Sequence, residues 1–238
     1  NLFDTADIYG FNGRDGFGDA EILLGRLFAA DPGLRPKLVL ASKGGVVPGV
    51  PYDSSADYLV AACEASLRRL GTDHLDLFQV HRPDVLTHPA EVARALETLV
   101  ASGKARAVGV SNYTHLQVAA LIAHLPIPLA SIQPEFSPLV LEPLVDGTLD
   151  LAMQHRISVL AWSPLAGGRL GDPGEGREVG HEPLQRRDLL ADDLPRLGEE
   201  RAEGGVARGA LPPRLELLEG QLDGGERVLD LVGQLPGH

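Results

Sequence analysis

Phe3-Asp4-Thr5-Ala6-Asp7-Ile8-Tyr9-Gly10 begins apolar and turns polar, and the same profile recurs twice downstream. Lys37-Leu38-Val39-Leu40-Ala41-Ser42-Lys43 ends on a lysine, and Leu75-Asp76-Leu77-Phe78-Gln79-Val80-His81-Arg82-Pro83 reaches a histidine as its apolar run stops. Each reads as a short buried strand with a polar carboxyl end. In parallel α/β folds that end carries the chemistry, because the loops leaving it form the open crevice. Asp4, Tyr9, Lys43 and His81 are therefore expected on one face.

Outward from these segments the chain alternates strand and helix up to residue 165. Strands are expected at residues 1–5, 37–43, 75–81, 105–111, 129–134 and 157–163. Between them, Asp19 to Ala30 places Ile22, Leu23, Leu27 and Phe28 at helical spacing. A second helix starts near Ser54-Ser55-Ala56-Asp57, a capping pattern, and stops at Gly71. Thr87-His88-Pro89 opens a third that Gly103 closes, Thr114 caps a fourth that runs to about His124, and a weaker fifth covers residues 147–155. Such alternation implies a parallel sheet, here a (β/α) barrel. Cys63 shares a helix side with Leu59, Leu67 and Leu70, so buried packing is its expected role.

Three further strand ends carry polar or aromatic residues in order: Gly109-Val110-Ser111-Asn112, Gln133 in Ser131-Ile132-Gln133-Pro134-Glu135, and Ala161-Trp162-Ser163-Pro164-Leu165. With the first three segments, this constellation resembles the aldo-keto reductase family over roughly residues 1 to 170. Six ordered matches at strand ends are far more specific than one Asp-x-x-x-x-Tyr. The resemblance implies a (β/α)8 TIM barrel that is incomplete here, with the family's strands 2–7 recognisable and strands 1 and 8 missing. It also implies a nicotinamide-dependent reductase of aldehydes or ketones, or the reverse alcohol oxidation. Such an enzyme uses NADP(H), with NAD(H) left open, acts on a small-molecule carbonyl substrate and is cytoplasmic.

Carbonyl reduction leaves negative charge developing on the substrate oxygen, so an acid must stand beside it. A phenol titrates near 10 in isolation, and a neighbouring ammonium favours its loss of the proton. The resemblance thus makes Tyr9 the general acid, Lys43 its activating cation, Asp4 the partner of Lys43, and His81 the group that orients the carbonyl. By the same resemblance Ser111, Asn112 and Gln133 hold the nicotinamide carboxamide, and Trp162 offers a flat face to the ring. Ser163, Leu165, Gly167 and Arg169 lie where the family's next loop approaches the pyrophosphate. A cofactor-binding regulatory subunit like the potassium-channel β subunits keeps the same residues and stands as the alternative, as does an inactive fragment of the reductase.

Composition narrows the field. A net charge of −12 argues against nucleic acid as a partner, since phosphate binding needs Lys/Arg stripes. The sequence has no apolar run approaching a membrane span, and a single Cys fits a reducing compartment. Metal-ligand spacing is missing among His74, His88, His115, His124, His155, His181 and His238, so no metal is expected and a metal-dependent barrel hydrolase is disfavoured. Oligomeric state is left open.

The last third changes character. All 75 residues from Pro164 to His238 belong to ten types, Gly, Ala, Val, Asp, Glu, Leu, Pro, His, Gln and Arg, while residues 1–163 contain 41 outside that set. At the same rate about 19 would be expected among the last 75. Codons beginning with G or C encode all ten types, the alphabet a GC-rich gene yields when its reading frame slips. The expectation is therefore a partial barrel at residues 1–170 and an out-of-frame, low-complexity tail at 171–238 that supplies neither missing strand. Asn1 falls within the family's second strand, so the family's first strand and helix are expected to be absent.

Overall fold

A computed structural model describes residues 1–171. In it β1 (Leu2–Asp4) leads through α1 (Asp19–Ala30) to β2 (Val39–Gly44) and a hairpin of β3 (Val46–Val47) and β4 (Val50–Tyr52). Then come α2 (Ala56–Leu70), β5 (Leu75–Val80), α3 (Pro89–Ala101), β6 (Ala105–Ser111), α4 (His115–Ile122) and β7 (Leu129–Gln133). The series ends with α5 (Glu142–Val145), α6 (Thr148–His155) and β8 (Ser158–Val159). Six of the strands form one parallel sheet in the order β1-β2-β5-β6-β7-β8, the succession expected of an incomplete (β/α)8 barrel. Right-handed crossovers put the connecting helices on one face of such a sheet.

Local chemistry sets the helix ends. Ser55 Oγ accepts from Tyr58 N at 3.4 Å, and Gly71 closes α2 in the left-handed conformation at φ 63°. Pro89 opens α3 without wasting a hydrogen bond, and Thr114 and Gln117 form a reciprocal capping box on α4. Packing then holds these helices down. Leu40, Phe78, Val80, Val108, Val110 and Ile132 project from the sheet onto Leu59, Cys63, Leu70, Leu96, Leu99 and Leu121, all essentially inaccessible to solvent. Full burial of a large apolar side chain is worth about 1.5–3 kcal/mol, several times any helix-propensity difference. Cys63 is packed as expected, and burial pushes its thiol up to about 12.

Alternate residues face the other way, apolar in the first half of the strands and polar toward their carboxyl ends. In register, Lys43 lies beside Gln79, Gln79 beside Gly109, and Gly109 beside Ser131, while one step on Ser111 lies beside Gln133. Gly109 is required in this layer: a Cβ there would lie 2.9 Å from the Ser131 carbonyl oxygen and collide with its hydroxyl. At the opposite ends of the strands, Asp76 ties β2, β5 and β6 together through Arg35 at 2.9 Å, Arg106 at 2.9 Å and the Leu40 amide at 2.9 Å.

The structure differs from the sequence expectation at several places. The strand expected over 157–163 is regular only at Ser158–Val159, resuming as an isolated bridge between Glu135 and Trp162. Residues 35–37 form a 3-10 turn that includes Pro36, so β2 starts at Val39 and not at 37. The β3–β4 hairpin was not expected, although Pro48-Gly49, with Gly49 at φ 84°, is a turn signal. The reading of residues 171–238 as an out-of-frame tail falls, apart from Gly171, outside the described residues. Among those residues no helix is long and apolar enough to cross a membrane.

Candidate active site

Lys43 is the centre of the site. Its side chain is fully buried, and its ammonium donates to Asp4 Oδ2 at 2.7 Å, the Thr5 carbonyl at 2.9 Å and Tyr9 Oη at 3.1 Å. An ammonium has three N–H donors, so every one is used. Burying an unpaired ammonium would cost several kcal/mol, which is why the strand end supplies a carboxylate and two further acceptors. The same nitrogen stands 4.7 Å from the centre of the Tyr9 ring.

Asp4 is held from three directions. Besides Lys43 it accepts from Gln133 Nε2 at 3.1 Å and, more weakly, from Gln79 Nε2 at 3.4 Å. Gln79 is fixed in turn by Ser131 Oγ at 3.1 Å. The inward polar layer thus aims one carboxylate at one ammonium. Gln79 and Ser131 were not singled out in the sequence; the signal was their position two residues before His81 and Gln133, the spacing that keeps them on one face of a strand.

Tyr9 sits 40% exposed on the loop after β1, its amide bonded to the Ala6 carbonyl and its carbonyl to the Ala20 amide. His81 meets it edge-on, with ring centres 5.7 Å apart and planes at 82°. Burial, followed by the positive charges of Lys43 and Arg82, pulls the imidazole down to about 4, so His81 is neutral at neutral pH. A neutral imidazole keeps one N–H to donate. Its Nδ1 is buried without a partner. The four residues expected together on one face are together.

The residues expected around a nicotinamide gather at the ends of β6 and β7. Asn112 adopts φ 60°, a left-handed conformation that asparagine tolerates better than most residues. Its Nδ2 donates to the His81 carbonyl at 3.1 Å and to Ser111 Oγ at 2.9 Å, and its Oδ1 accepts from Trp162 Nε1 at 3.0 Å. Ser111 Oγ donates to the Gln133 carbonyl at 2.9 Å. These polar groups therefore have partners within the protein, and Trp162 is half-buried with its N–H turned to Asn112. Ser163, Leu165, Gly167 and Arg169 follow on a tight exposed loop, with left-handed backbone at Ser163, Ala166, Gly167 and Gly168. The donor set suits a nicotinamide: amide and hydroxyl side chains beside a half-exposed indole, linked through Asn112 to the backbone of His81. Among the described residues no group of three or more His, Cys, Asp or Glu could hold a metal ion.

A parallel βα sheet carrying a buried lysine, a carboxylate, a tyrosine and a neutral histidine at its carboxyl edge defines a class of barrel oxidoreductase. The chain belongs to the Aldo/keto reductase family, whose model matches residues 1–210, past the residue 170 at which the sequence reading ended its resemblance. It is 56% identical over 178 residues to a 6-dehydroglucose reductase of Novosphingobium aromaticivorans, covering 75% of this chain and 59% of that protein. A second 6-dehydroglucose reductase, from Agrobacterium fabrum, is 41% identical over 176 residues, covering 70% and 57% of the two chains. Among solved structures, an aldo/keto reductase from Klebsiella pneumoniae in complex with NADP and acetate superposes with a TM-score of 0.61 at 33% identity, covering 72% of this chain and 56% of that one. The holo form of aldo-keto reductase AKR11C1 from Bacillus halodurans gives 0.62 at 30%, with coverage of 71% and 54%. The chain thus spans a little over half the length of these relatives.

Proposed function

We propose that this protein is an NADP(H)-dependent carbonyl reductase of the cytoplasm, with Tyr9 as general acid, Lys43 and Asp4 as its tuning pair, and His81 as the group that orients the carbonyl. The observation that carries the reading is the Lys43 ammonium, bonded at once to Asp4 and Tyr9 Oη with the neutral His81 ring against the same phenol. When bound beside Asn112 and Trp162, the nicotinamide supplies the hydride. As charge builds on the substrate oxygen, the Tyr9 phenol gives up its proton and the adjacent ammonium stabilises the phenolate left behind. His81, uncharged, donates a hydrogen bond to the same oxygen without competing for the proton. Ser111, Asn112 and Gln133 would hold the nicotinamide carboxamide.

The substrate proposed is a sugar-derived aldehyde. Two relatives above 40% identity are named 6-dehydroglucose reductase, and this shared name supports the substrate class. The test uses the full 238-residue chain with NADPH and 6-dehydroglucose, followed by loss of nicotinamide absorbance. Tyr9→Phe should lower turnover by about 10² to 10⁴ while NADPH binding, read by fluorescence, stays nearly unchanged. Unchanged turnover in that variant would move the acid elsewhere; a preference for simple aldehydes over the sugar would refute the substrate class alone.

A further inference from the structure

Asp7 lies between Asp4 and Tyr9 in sequence, yet its side chain takes no part in the cluster they form. It is 1% exposed, and neither carboxyl oxygen has a hydrogen-bond partner. A buried carboxyl left alone demands an explanation, because desolvating such a group without compensation costs free energy. Its backbone is a strut of the site: the Asp7 amide donates to the Lys43 carbonyl at 3.1 Å, and the Asp7 carbonyl accepts from the Gly18 amide at 2.7 Å. The strut joins β2, which carries Lys43, to the loop that carries Tyr9.

The side chain points toward the helices. Its Oδ2 lies 3.4 Å from where a Cβ on Gly44 would be. The charged and titratable groups that act on it are Glu21 from α1, Arg69 and Tyr58 from α2, and Lys43 from β2. Both cations are already engaged, although Arg69 uses only two of its five N–H groups in the bonds it makes to Glu21 and Ser66. Lys43 has spent its three donors, and Arg69 is held by the fully buried Glu21 at 2.6 Å and by Ser66 at 3.3 Å, over the Phe17 ring. Glu21 also accepts from the Ser42 hydroxyl, so both of its oxygens are engaged beside Asp7.

We infer that Asp7 is a positioning residue for the Lys43–Tyr9 pair that works only as the neutral acid. Ionised, it would face the Glu21 carboxylate in a buried setting, with the engaged Arg69 and the Ile8 amide among the groups that favour its charge. The charge would then draw Arg69 or the Ile8 amide toward it, and that movement displaces the strut and with it Lys43 and Tyr9. Burial first, and then Glu21, pushes the Asp7 carboxyl up to about 7, which puts this change near neutrality. The inference rests on the proposed reaction for its consequence, but the displacement can be observed without turnover.

The experiment labels the full chain with 13Cζ-tyrosine, assigns Tyr9 by the Tyr9→Phe variant, and follows its resonance with pH. In the unsubstituted protein the Tyr9 signal should step once near neutral pH, and kcat for NADPH-dependent reduction should fall about tenfold per pH unit above the same midpoint. In Asp7→Asn, a neutral mimic of the protonated acid, the step should vanish and kcat stay level through that range. In Glu21→Gln, which removes the like charge and frees Arg69, the step should move to lower pH, so an Asp7→Asn chain that failed to fold would still leave a directional test. A protein without the step, a step retained in Asp7→Asn, or a step moved upward by Glu21→Gln would overturn the assignment. A Tyr9 step without reductase activity at any pH would refute the reductase reading and leave the Asp7 assignment standing.

Discussion

Replacing Lys43 by Met removes the ammonium but keeps the length of the buried stem, so the loss is electrostatic and not a cavity. Breaking a buried ion pair by deleting one partner costs about 3–5 kcal/mol. Asp4 softens that figure, since its side chain is 28% exposed and keeps Gln133 at 3.1 Å and Gln79 at 3.4 Å. The Thr5 carbonyl, in contrast, loses its donor, which adds about 1 kcal/mol. The expected sum is about 3–4 kcal/mol of destabilisation, read from the urea midpoint at constant m-value. A second substitution separates charge from packing. Asp4→Asn in the Lys43→Met background should cost less than in the original background, with a coupling of about 2 kcal/mol, because the orphaned carboxylate is then gone. Additive costs, or Lys43→Met within 1 kcal/mol of the parent, would show that the ion pair does not hold this strand end together and would undo the account of how Tyr9 is held.

Two titrations should oppose each other in the stability of the fold. His81 titrates at about 4 in the folded chain against 6.5 unfolded, so its contribution is complete above about pH 6.5 and is lost as pH falls toward 4. Discounted for partial exposure, that is on the order of 2 kcal/mol. Asp7, raised from 3.8 to about 7, has the opposite sign: its contribution is present below 3.8 and is lost as pH rises through 7, on the order of 4 kcal/mol. Melting curves from pH 4 to 7 should therefore steepen upward with pH in Asp7→Asn and fall with pH in His81→Ala; parallel profiles in the two variants would contradict both assignments. Gly109→Ala should lower stability by about 1–3 kcal/mol, because the new methyl meets Ser131. Adding Ser131→Ala should restore part of that loss in a thermal melt by removing the hydroxyl, and no restoration would mean the clash is with backbone alone.

Asp4, Lys43 and His81 were legible because each stands at or just past the end of a strand, and Tyr9 because it follows Asp4 by five residues on the loop that leaves one; such a polar terminus can be recognised without knowing which strand lies beside it. Gln79 and Ser131 were not, since a Gln within an apolar run gains its meaning from register: only the pairing of Lys43 with Gln79 and of Gly109 with Ser131 makes them one layer. Asp7 illustrates a different limit. Its neighbours Glu21 and Arg69 lie 14 and 62 positions away, and a loop residue's side chain can point to either side of a sheet. Helix ends at Ser55, Gly71, Pro89 and Thr114 were read well because capping is local chemistry. The β8 strand was overextended because an apolar run such as Ile157 to Trp162 does not disclose where pairing lapses.

The full occupancy of the Lys43 ammonium also bears on how the proposed acid would be recharged. If Tyr9 gives its proton away, as proposed, another must arrive before the next cycle. Lys43 cannot relay protons from solvent: it is buried and its three hydrogens are held by Asp4, Thr5 and Tyr9, so one passed along the bond to Tyr9 could be replaced only through Tyr9 itself. The phenol, 40% exposed, opens on the other side to water. In the proposed reaction, replacement protons would therefore reach Tyr9 from its exposed side and not through the lysine.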